Sequence, residues 1–443
     1  MNIFKKYNKE QLSWALFDWA NQPFFTVVTT FIFAPYFANH VMSNSVEGQA
    51  IWGYINASIA VTIALFAPIF GAIADVRGPR KPWIGVFSLL CAISAFGLWY
   101  ATPQGNVVIP ILSLMIACFA IEMAVIFNNA MLPTLITQNK MGRLSGLAWG
   151  TGYIGGIVAL LIIMVLFIFP DVPAFGLNKE TFEPERLSGP FSAVWLLFFA
   201  LPMFLFTSDI DKSNEKIPSL DVVKLGFSNL KETLKNVKKH QNIWHFLIAR
   251  ALYNDGVLAI ISFSGIYAMA IFGWTTTSLG IFAIIVNIIA FFGCIIGGRV
   301  DNKFGSKSAI NISVWVLLIG LLGILSINKD SVLYGLIVFE PNENTAFMST
   351  YPQQWFMLFG IMLGLGFGPA QSASRTMMAR ITPKDKITQF FGLYAFSGKA
   401  TSFLAPLAIA FVTTITGDNR LGLSVILFFF LSGLIILYGV KEK

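Results

Sequence analysis

The chain has 443 residues, of which 56% are hydrophobic and only 12% charged, and its formal net charge is +8. Soluble domains carry about 25% charged residues, so the composition excludes a water-soluble globule and makes lipid the solvent for much of the surface. Cys91, Cys118 and Cys294 all lie in apolar runs, which argues against a disulfide framework and a metal site.

A helix needs about 20 apolar residues to cross a ~30 Å hydrocarbon core. In chain order, such runs predict spans over 12–38, 50–75, 82–101, 108–135, 144–168 and 191–207. A second set follows over 243–272, 276–298, 308–327, 353–380, 388–416 and 421–440. The basic start MNIFKKYNKEQ precedes a long run interrupted by Asp18 with no small-residue cleavage site, so it reads as an uncleaved first span. An even number of spans puts both termini on one side. With the N-terminus inside, 23 of the 30 Lys and Arg residues fall in inward segments. Only Lys179, Arg186, Lys329 and Arg420 fall outside, and Arg250, Arg375 and Lys399 lie within spans. This is the positive-inside signature, and it accounts for the basic balance without nucleic acid.

The organisation expected is therefore a six-helix half over 1–207, a cytoplasmic linker over 208–242 and a second six-helix half over 243–443. In the linker, Leu220, Val223, Phe227, Leu230, Leu234 and Val237 recur at helical spacing, with Lys224, Lys231, Lys235 and Lys238 on the other faces. That pattern fits a helix on the inner membrane surface, and it equally fits a plain tether between the halves. Landmarks repeat in order across the halves. Gly71-Ala-Ile-Ala-Asp75-Val-Arg77-Gly78-Pro-Arg80-Lys81 follows the second span, and Gly297-Gly-Arg-Val-Asp301-Asn-Lys303-Phe-Gly305-Ser-Lys307 follows the eighth. Ala15-Leu-Phe-Asp18 likewise matches Ala251-Leu-Tyr-Asn-Asp255, and Gly146-Leu147 matches Gly392-Leu393. Parallel six-span repeats are an architecture of secondary transporters.

The Gly71–Lys81 segment resembles the inner-loop signature of the major facilitator superfamily. This implies an all-α membrane protein of twelve transmembrane helices in two pseudo-twofold related halves. Asp75, Arg77, Gly78, Arg80 and Lys81, with Asp301, Lys303 and Lys307, are then expected to form an inner gate. Asp75 would accept hydrogen bonds from a neighbouring helix N-terminus, or pair with Arg77 or Arg80. Topological anchoring by the basic residues is the plainer alternative. Six further stretches, Ser13–Asn21, Gly78–Trp83, Met141–Gly146, Leu252–Gly256, Gln371–Arg375 and Phe391–Lys399, resemble the vacuole-effluxer-like family of major facilitators. The resemblance implies export of small polar solutes and carries amino-acid specificity only weakly.

Charges inside a membrane cost at least ~2.5–3.5 kcal/mol each, so each one needs a reason. Asp18 and Asn21 lie in the first span, and Glu122, Asn128 and Asn129 in the fourth. Arg250, Asn254 and Asp255 lie in the seventh, with Arg375 and Lys399 in the tenth and eleventh. One reading pairs them as neutral struts. The other turns them to a central aqueous pathway, where Arg375 and Lys399 attract an anionic group and a carboxylate takes an amine or a proton. Arg250 and Asp255, five apart, fit helical pairing poorly and should find partners on other helices. Glu122 is the first candidate for proton coupling and Asp18 the second. Gly150-Thr-Gly152-Tyr-Ile-Gly155-Gly156 matches a dinucleotide fingerprint but lies inside a span, where Gly152 and Gly156 instead favour close helix contact. Gly360, Gly364, Gly366, Gly368 and Pro369 permit either bending or close packing of the tenth helix.

The functional expectation is a secondary exporter of small polar solutes such as amino acids, working by alternating access with protons as a candidate coupling ion. The alternatives are an importer of another small metabolite and a non-transporting sensor of the same fold. An enzyme is disfavoured, because none of His40, His240 and His245 lies clearly inside the bundle and no HExxH or GxSxG pattern occurs. No phosphate loop supports a primary pump. A small-molecule substrate and the lipid bilayer are the partners expected, with no cofactor, a monomeric working state and a bacterial inner membrane.

Overall fold

The first span begins where Asn8 and Gln11 form a capping box, each side chain bonding the other's backbone amide. The structure is a computed structural model that describes residues 6–42, 45–210, 219–235, 237–340 and 346–442. Within them lie twelve helices long and apolar enough to cross a membrane. Spans 1 to 6 are Lys9–Val41, Glu47–Arg77, Lys81–Tyr100, Val108–Leu135, Gln138–Ile168 and Glu183–Phe206. Spans 7 to 12 are Gln241–Phe272, Thr277–Phe304, Ser306–Leu325, Tyr351–Ile381, Lys384–Thr416 and Asn419–Tyr438. An antiparallel pair, Ser331–Val332 with Ile337–Val338, lies between spans 9 and 10.

The chain forms two compact units. One comprises Met1–Gln138, Thr151–Lys235 and Thr382–Phe396, and the other Asn139–Gly150, Asn236–Ile381 and Ser397–Lys443. Each unit therefore includes the opening of one span from the other sequence half, span 11 in the first unit and span 5 in the second. In the first unit Trp19 of span 1 stacks on Trp195 of span 6, with ring centroids 5.8 Å apart. Span 1 is regular as far as Pro23, and then passes into π-helical turns at Phe24–Phe31 and Phe37–Val41.

The glycines decide close approaches. A Cβ at Gly152 would lie 3.2 Å from the Asp18 carbonyl, and one at Gly156 would overlap the Thr26 hydroxyl. The fingerprint-like run is thus where spans 1 and 5 pack together. Span 10 is continuous through Pro369. A Cβ at its Gly364 would sit 2.7 Å from the Val286 carbonyl of span 8. Here the glycines give close packing, and the helix is not broken.

The span predicted over 388–416 is present as Lys384–Thr416. Within it the chain is helical over Ile387–Lys399 and again over Leu404–Thr416, with a break between. Around the break the Thr401 hydroxyl bonds the Ser397 carbonyl at 3.4 Å, and the Ser402 hydroxyl bonds the Lys399 carbonyl at 3.0 Å. These hydroxyls supply donors to the Ser397 and Lys399 carbonyls where the backbone leaves the helix. The linker contains the helix Ser219–Lys235. It buries Val222, Gly226, Leu230 and Thr233 and leaves Val223, Phe227 and Leu234 exposed, so of the periodic apolar residues Leu230 is covered and these three are not. Residues 211–218 and 236 of the linker lie outside the described residues, as do the side chains of Leu220, Val237 and Lys238.

Candidate functional site

Two kinds of site emerge, a pair of contacts at span ends and a cluster of polar groups within the spans. The first span-end contact lies in the first unit. Gly78 turns the chain after span 2 with φ 93°, a left-handed conformation open to glycine. Arg80 and Lys81 then open span 3, and their amides donate to Asp209 at 2.9 and 2.8 Å. The Lys81 ammonium donates to the Thr207 carbonyl at 2.7 Å. Asp75, at the end of span 2, receives the Thr388 amide at 2.9 Å and the Gln389 amide at 2.8 Å. These amides belong to the first turn of span 11, where the helix dipole favours an anion. Arg80 is buried beside them, donating to the Thr388 hydroxyl at 2.9 Å and reaching Asp75 at 3.4 Å. Burial pushes its guanidinium down from its ordinary value, while Asp75 and Asp209 act against that shift. A Cβ on Gly392 would strike the Ala67 carbonyl, so spans 2 and 11 meet backbone to backbone.

The second span-end contact repeats the plan in the other unit with different side chains. Gly305 turns with φ 88°, and the amides of Ser306 and Lys307 donate to Glu442 at 2.7 and 2.8 Å. Lys307 donates to the carbonyls of Tyr438 and Val440. Asp301 pairs with Arg380 at 2.7 Å, and Arg380 also pairs with Glu442 at 2.6 Å. The side chain of Asp301 fills the space a Cβ on Gly142 would need, and the Arg143 amide donates to Asn302 at 3.0 Å. Arg77 and Lys303 are exposed, and the Lys303 ammonium sits over the Phe304 ring.

Within the spans the second unit holds Arg250, Asn254, Asp255, Arg375 and Lys399, half of the predicted residues. Asn254 accepts from Gln371 at 2.8 Å, and the hydroxyls of Tyr253 and Ser374 are 2.6 Å apart. Arg250 donates to the Ser397 hydroxyl at 3.1 Å, so its partner does come from another helix. Its guanidinium occupies the space a Cβ on Gly398 would need. Asp255 is buried, and among the described residues no donor makes a well-formed hydrogen bond to either of its oxygens. The Thr401 hydroxyl and the Arg250 guanidinium lie near enough to act on it. Half-buried Lys399 ends the first helical part of span 11. Arg250, Asp255, Ser397, Lys399 and Thr401 thus surround or adjoin the break.

Arg375 stands apart from that group. It is buried, and its Nε and Nη2 donate to the hydroxyl and carbonyl of Ser145 at 2.9 and 2.8 Å, while the Ser145 hydroxyl donates to the Ser372 carbonyl at 2.8 Å. The guanidinium fork is fastened to the opening of span 5. In the first unit, Asp18 is buried against Gly152, and the Asn21 amide donates to the Phe17 carbonyl of its own helix. The Trp14 indole donates to the Asn128 carbonyl at 2.9 Å, yet both side-chain amide atoms of Asn128 are buried without a partner among the described residues. Glu122 is half-buried and Asn129 buried on the same helix.

Several of these partners were missed. Thr388, Gln389, Asp209, Glu442 and Arg380 are ordinary loop or helix-end residues in sequence. Tyr253, Gln371 and Ser374 lay within noted stretches, but neutral hydrogen-bonding groups in a span give little signal beside a charge. Ser397 likewise lay within the stretch Phe391–Lys399, and Thr401 became visible only with the helix break.

The family described as vacuole effluxer Atg22-like matches residues 40–443. The chain belongs to that family. Along its whole length, this Atg22-like chain is 24% identical to the uncharacterized MFS-type transporter YxiO of Bacillus subtilis (strain 168), covering 97% of that protein. It is also 24% identical over 283 residues to autophagy-related protein 22 of Cryptococcus neoformans var. neoformans serotype D. That match takes in 63% of this chain and 47% of the fungal protein, so the chain spans about half the length of such relatives. Among solved structures it is similar to the major facilitator superfamily transporter FucP in its outward conformation, with TM-score 0.70 and 13% identity over 98% of this chain and 99% of that one. It is likewise similar to the proton:xylose symporter XylE, with TM-score 0.69 and 13% identity over 99% of this chain and 96% of that one. The fold is that of major facilitators, and the Atg22-like chain is a multi-pass membrane protein of a transporter family rather than an enzyme.

Proposed function

We propose that this protein is a secondary active exporter of small polar solutes, amino acids among them, that works by alternating access and is coupled to protons. One observation carries the reading: the buried carboxylate of Asp255, without a well-formed hydrogen bond, beside Arg250 and Thr401 at the break in span 11. A carboxylate left so in a membrane is costly unless something donates to it. A solute ammonium would do so, with Arg250 and Lys399 at hand for the solute's carboxylate. Broken transmembrane helices are a recurrent way to build such a site. Glu122 and Asp18 are assigned to proton coupling, and Asn21, Asn128, Asn129 and Asn254 to neutral contacts with the solute. Arg375 is assigned to holding span 5, on the strength of its Ser145 contacts.

The gate is assigned to Asp75 and Arg80 at one inner contact and to Asp301 at the other, with Lys81 and Lys307 fixing the turns beside Gly78 and Gly305. Efflux draws support from the names of the family and of the fungal relatives, and proton coupling from the named activity of XylE, whose fold is alike. The protein is placed in a bacterial inner membrane as a monomer with both termini cytoplasmic, following its Lys and Arg distribution.

The test is thermal stabilisation of detergent-purified protein by single amino acids, followed by flux in proteoliposomes under an imposed pH gradient. Asp255→Asn should lose the stabilisation, whereas Glu122→Gln should keep it and keep exchange but lose proton-driven flux. Stabilisation undiminished in Asp255→Asn, or absent for every amino acid in the unaltered protein, refutes the solute assignment. Undiminished proton-driven flux in Glu122→Gln refutes the coupling assignment.

A further inference from the structure

The linker helix Ser219–Lys235 has its rotation fixed by packing. A Cβ on Gly226 would lie 2.9 Å from the Ile73 side chain of span 2, and the Thr233 hydroxyl accepts from the Lys386 ammonium at 3.4 Å. Val222 and Leu230 are buried on the same side. Each residue advances the helix by roughly 100°, so the faces follow in a fixed order around the axis. Next to the packed face come Val223, Phe227 and Leu234, which are 38%, 48% and 45% exposed. Next to them, roughly 80° further round, come Lys224, Lys231 and Lys235, all exposed. Asp221 and Glu232 lie beyond the lysines, away from the apolar row.

Packed face, apolar row, basic row and acidic row is the order expected of a helix at a membrane surface. The apolar row would enter the acyl boundary, the lysines would meet the headgroups, and the acids would turn to water. We propose that Val223, Phe227 and Leu234 with Lys224, Lys231 and Lys235 form a docking surface for anionic phospholipid in the adjoining membrane leaflet. A second copy of the chain fits this surface poorly, since a self-complementary contact would set lysine row against lysine row. The linker also holds seven of the chain's Lys and Arg residues on the side assigned to the cytoplasm, where membranes carry anionic lipid.

Spin labels on the full-length protein test this. Single cysteines are placed at Phe227 and Leu234 on the apolar row, and at Ser228 and Glu232 on the opposite side. The native Cys91, Cys118 and Cys294 are buried, and the unsubstituted protein sets the labelling background. In phosphatidylcholine vesicles containing phosphatidylglycerol, labels at 227 and 234 should collide several-fold more with oxygen than with a water-soluble nickel complex, and labels at 228 and 232 the reverse. Each lysine near an anionic surface should contribute roughly fivefold to partitioning. Replacing Lys224, Lys231 and Lys235 by Gln should therefore shift the 227 and 234 labels toward water. Vesicles of phosphatidylcholine alone should do the same to the parent protein. Nickel access equal at all four positions overturns the proposal, as does shielding from both reagents at 227 and 234, which would mark a protein partner. Oxygen access indifferent to lysine removal and to lipid charge overturns the anionic-lipid assignment.

Discussion

Asp75→Asn addresses the contact between spans 2 and 11 directly. The carboxylate accepts two amides of one helical turn, at 2.9 and 2.8 Å. A hydrogen bond to a charged group contributes about 1.5–3 kcal/mol, and an anion at a helix N-terminus adds about 0.3–1 kcal/mol. Asparagine keeps one carbonyl acceptor, so it loses one bond, the charge on the other and the dipole contribution. The net loss is about 2–3 kcal/mol, or roughly a 30- to 150-fold change in the equilibrium between contact made and contact broken. Arg80 would still hold the Thr388 hydroxyl, which keeps the loss from being larger. Double electron–electron resonance between spin labels at exposed Ser208 and Lys384, in nanodiscs, needs no known solute. The parent protein should give one dominant distance, and Asp75→Asn should add a longer population of comparable size. Superimposable distributions would refute the assignment of Asp75 as a latch, and the carboxylate would then be only a local helix cap.

Two other substitutions follow from the packing. Arg375→Lys loses the fork that meets both the hydroxyl and the carbonyl of Ser145. It should cost about 2 kcal/mol, visible as a melting temperature lower by several degrees in detergent, with solute-dependent stabilisation retained. Loss of that stabilisation with an unchanged melting temperature would instead make Arg375 a solute contact. Gly392→Leu sets a side chain against the Ala67 carbonyl and should shift the same Ser208–Lys384 distances as Asp75→Asn, because either change separates spans 2 and 11.

Much of the fold was legible because lipid imposes a simple rule. Twenty apolar residues in a row leave a helix as the only way to satisfy the backbone, so span count and type follow from composition. The repeated Gly–Asp–Gly–basic segments were legible for a similar reason. A left-handed turn at Gly78 or Gly305 and an acid about one helical turn before it are local requirements. The site was less legible. The charges Arg250, Asp255 and Lys399 announce themselves in a span, but which charges share a neighbourhood depends on helix neighbours. Arg375 looks much like Arg250 in sequence, yet it is tied to Ser145, 230 residues away, while Arg250 reaches Ser397 beside the break.

A helical membrane protein of twelve spans with a repeated motif at span ends could be read from the residues alone, because hydropathy and turn chemistry act over a few residues. That Asp75 caps span 11, that span 11 breaks at Lys399, and that the linker helix presents Val223 and Phe227 outward came only from the packed fold. Each of these rests on contacts between segments far apart in the chain, such as Gly226 on Ile73 and Thr388 on Asp75. Periodicity gives a helix its faces, and only its neighbours determine which face is covered.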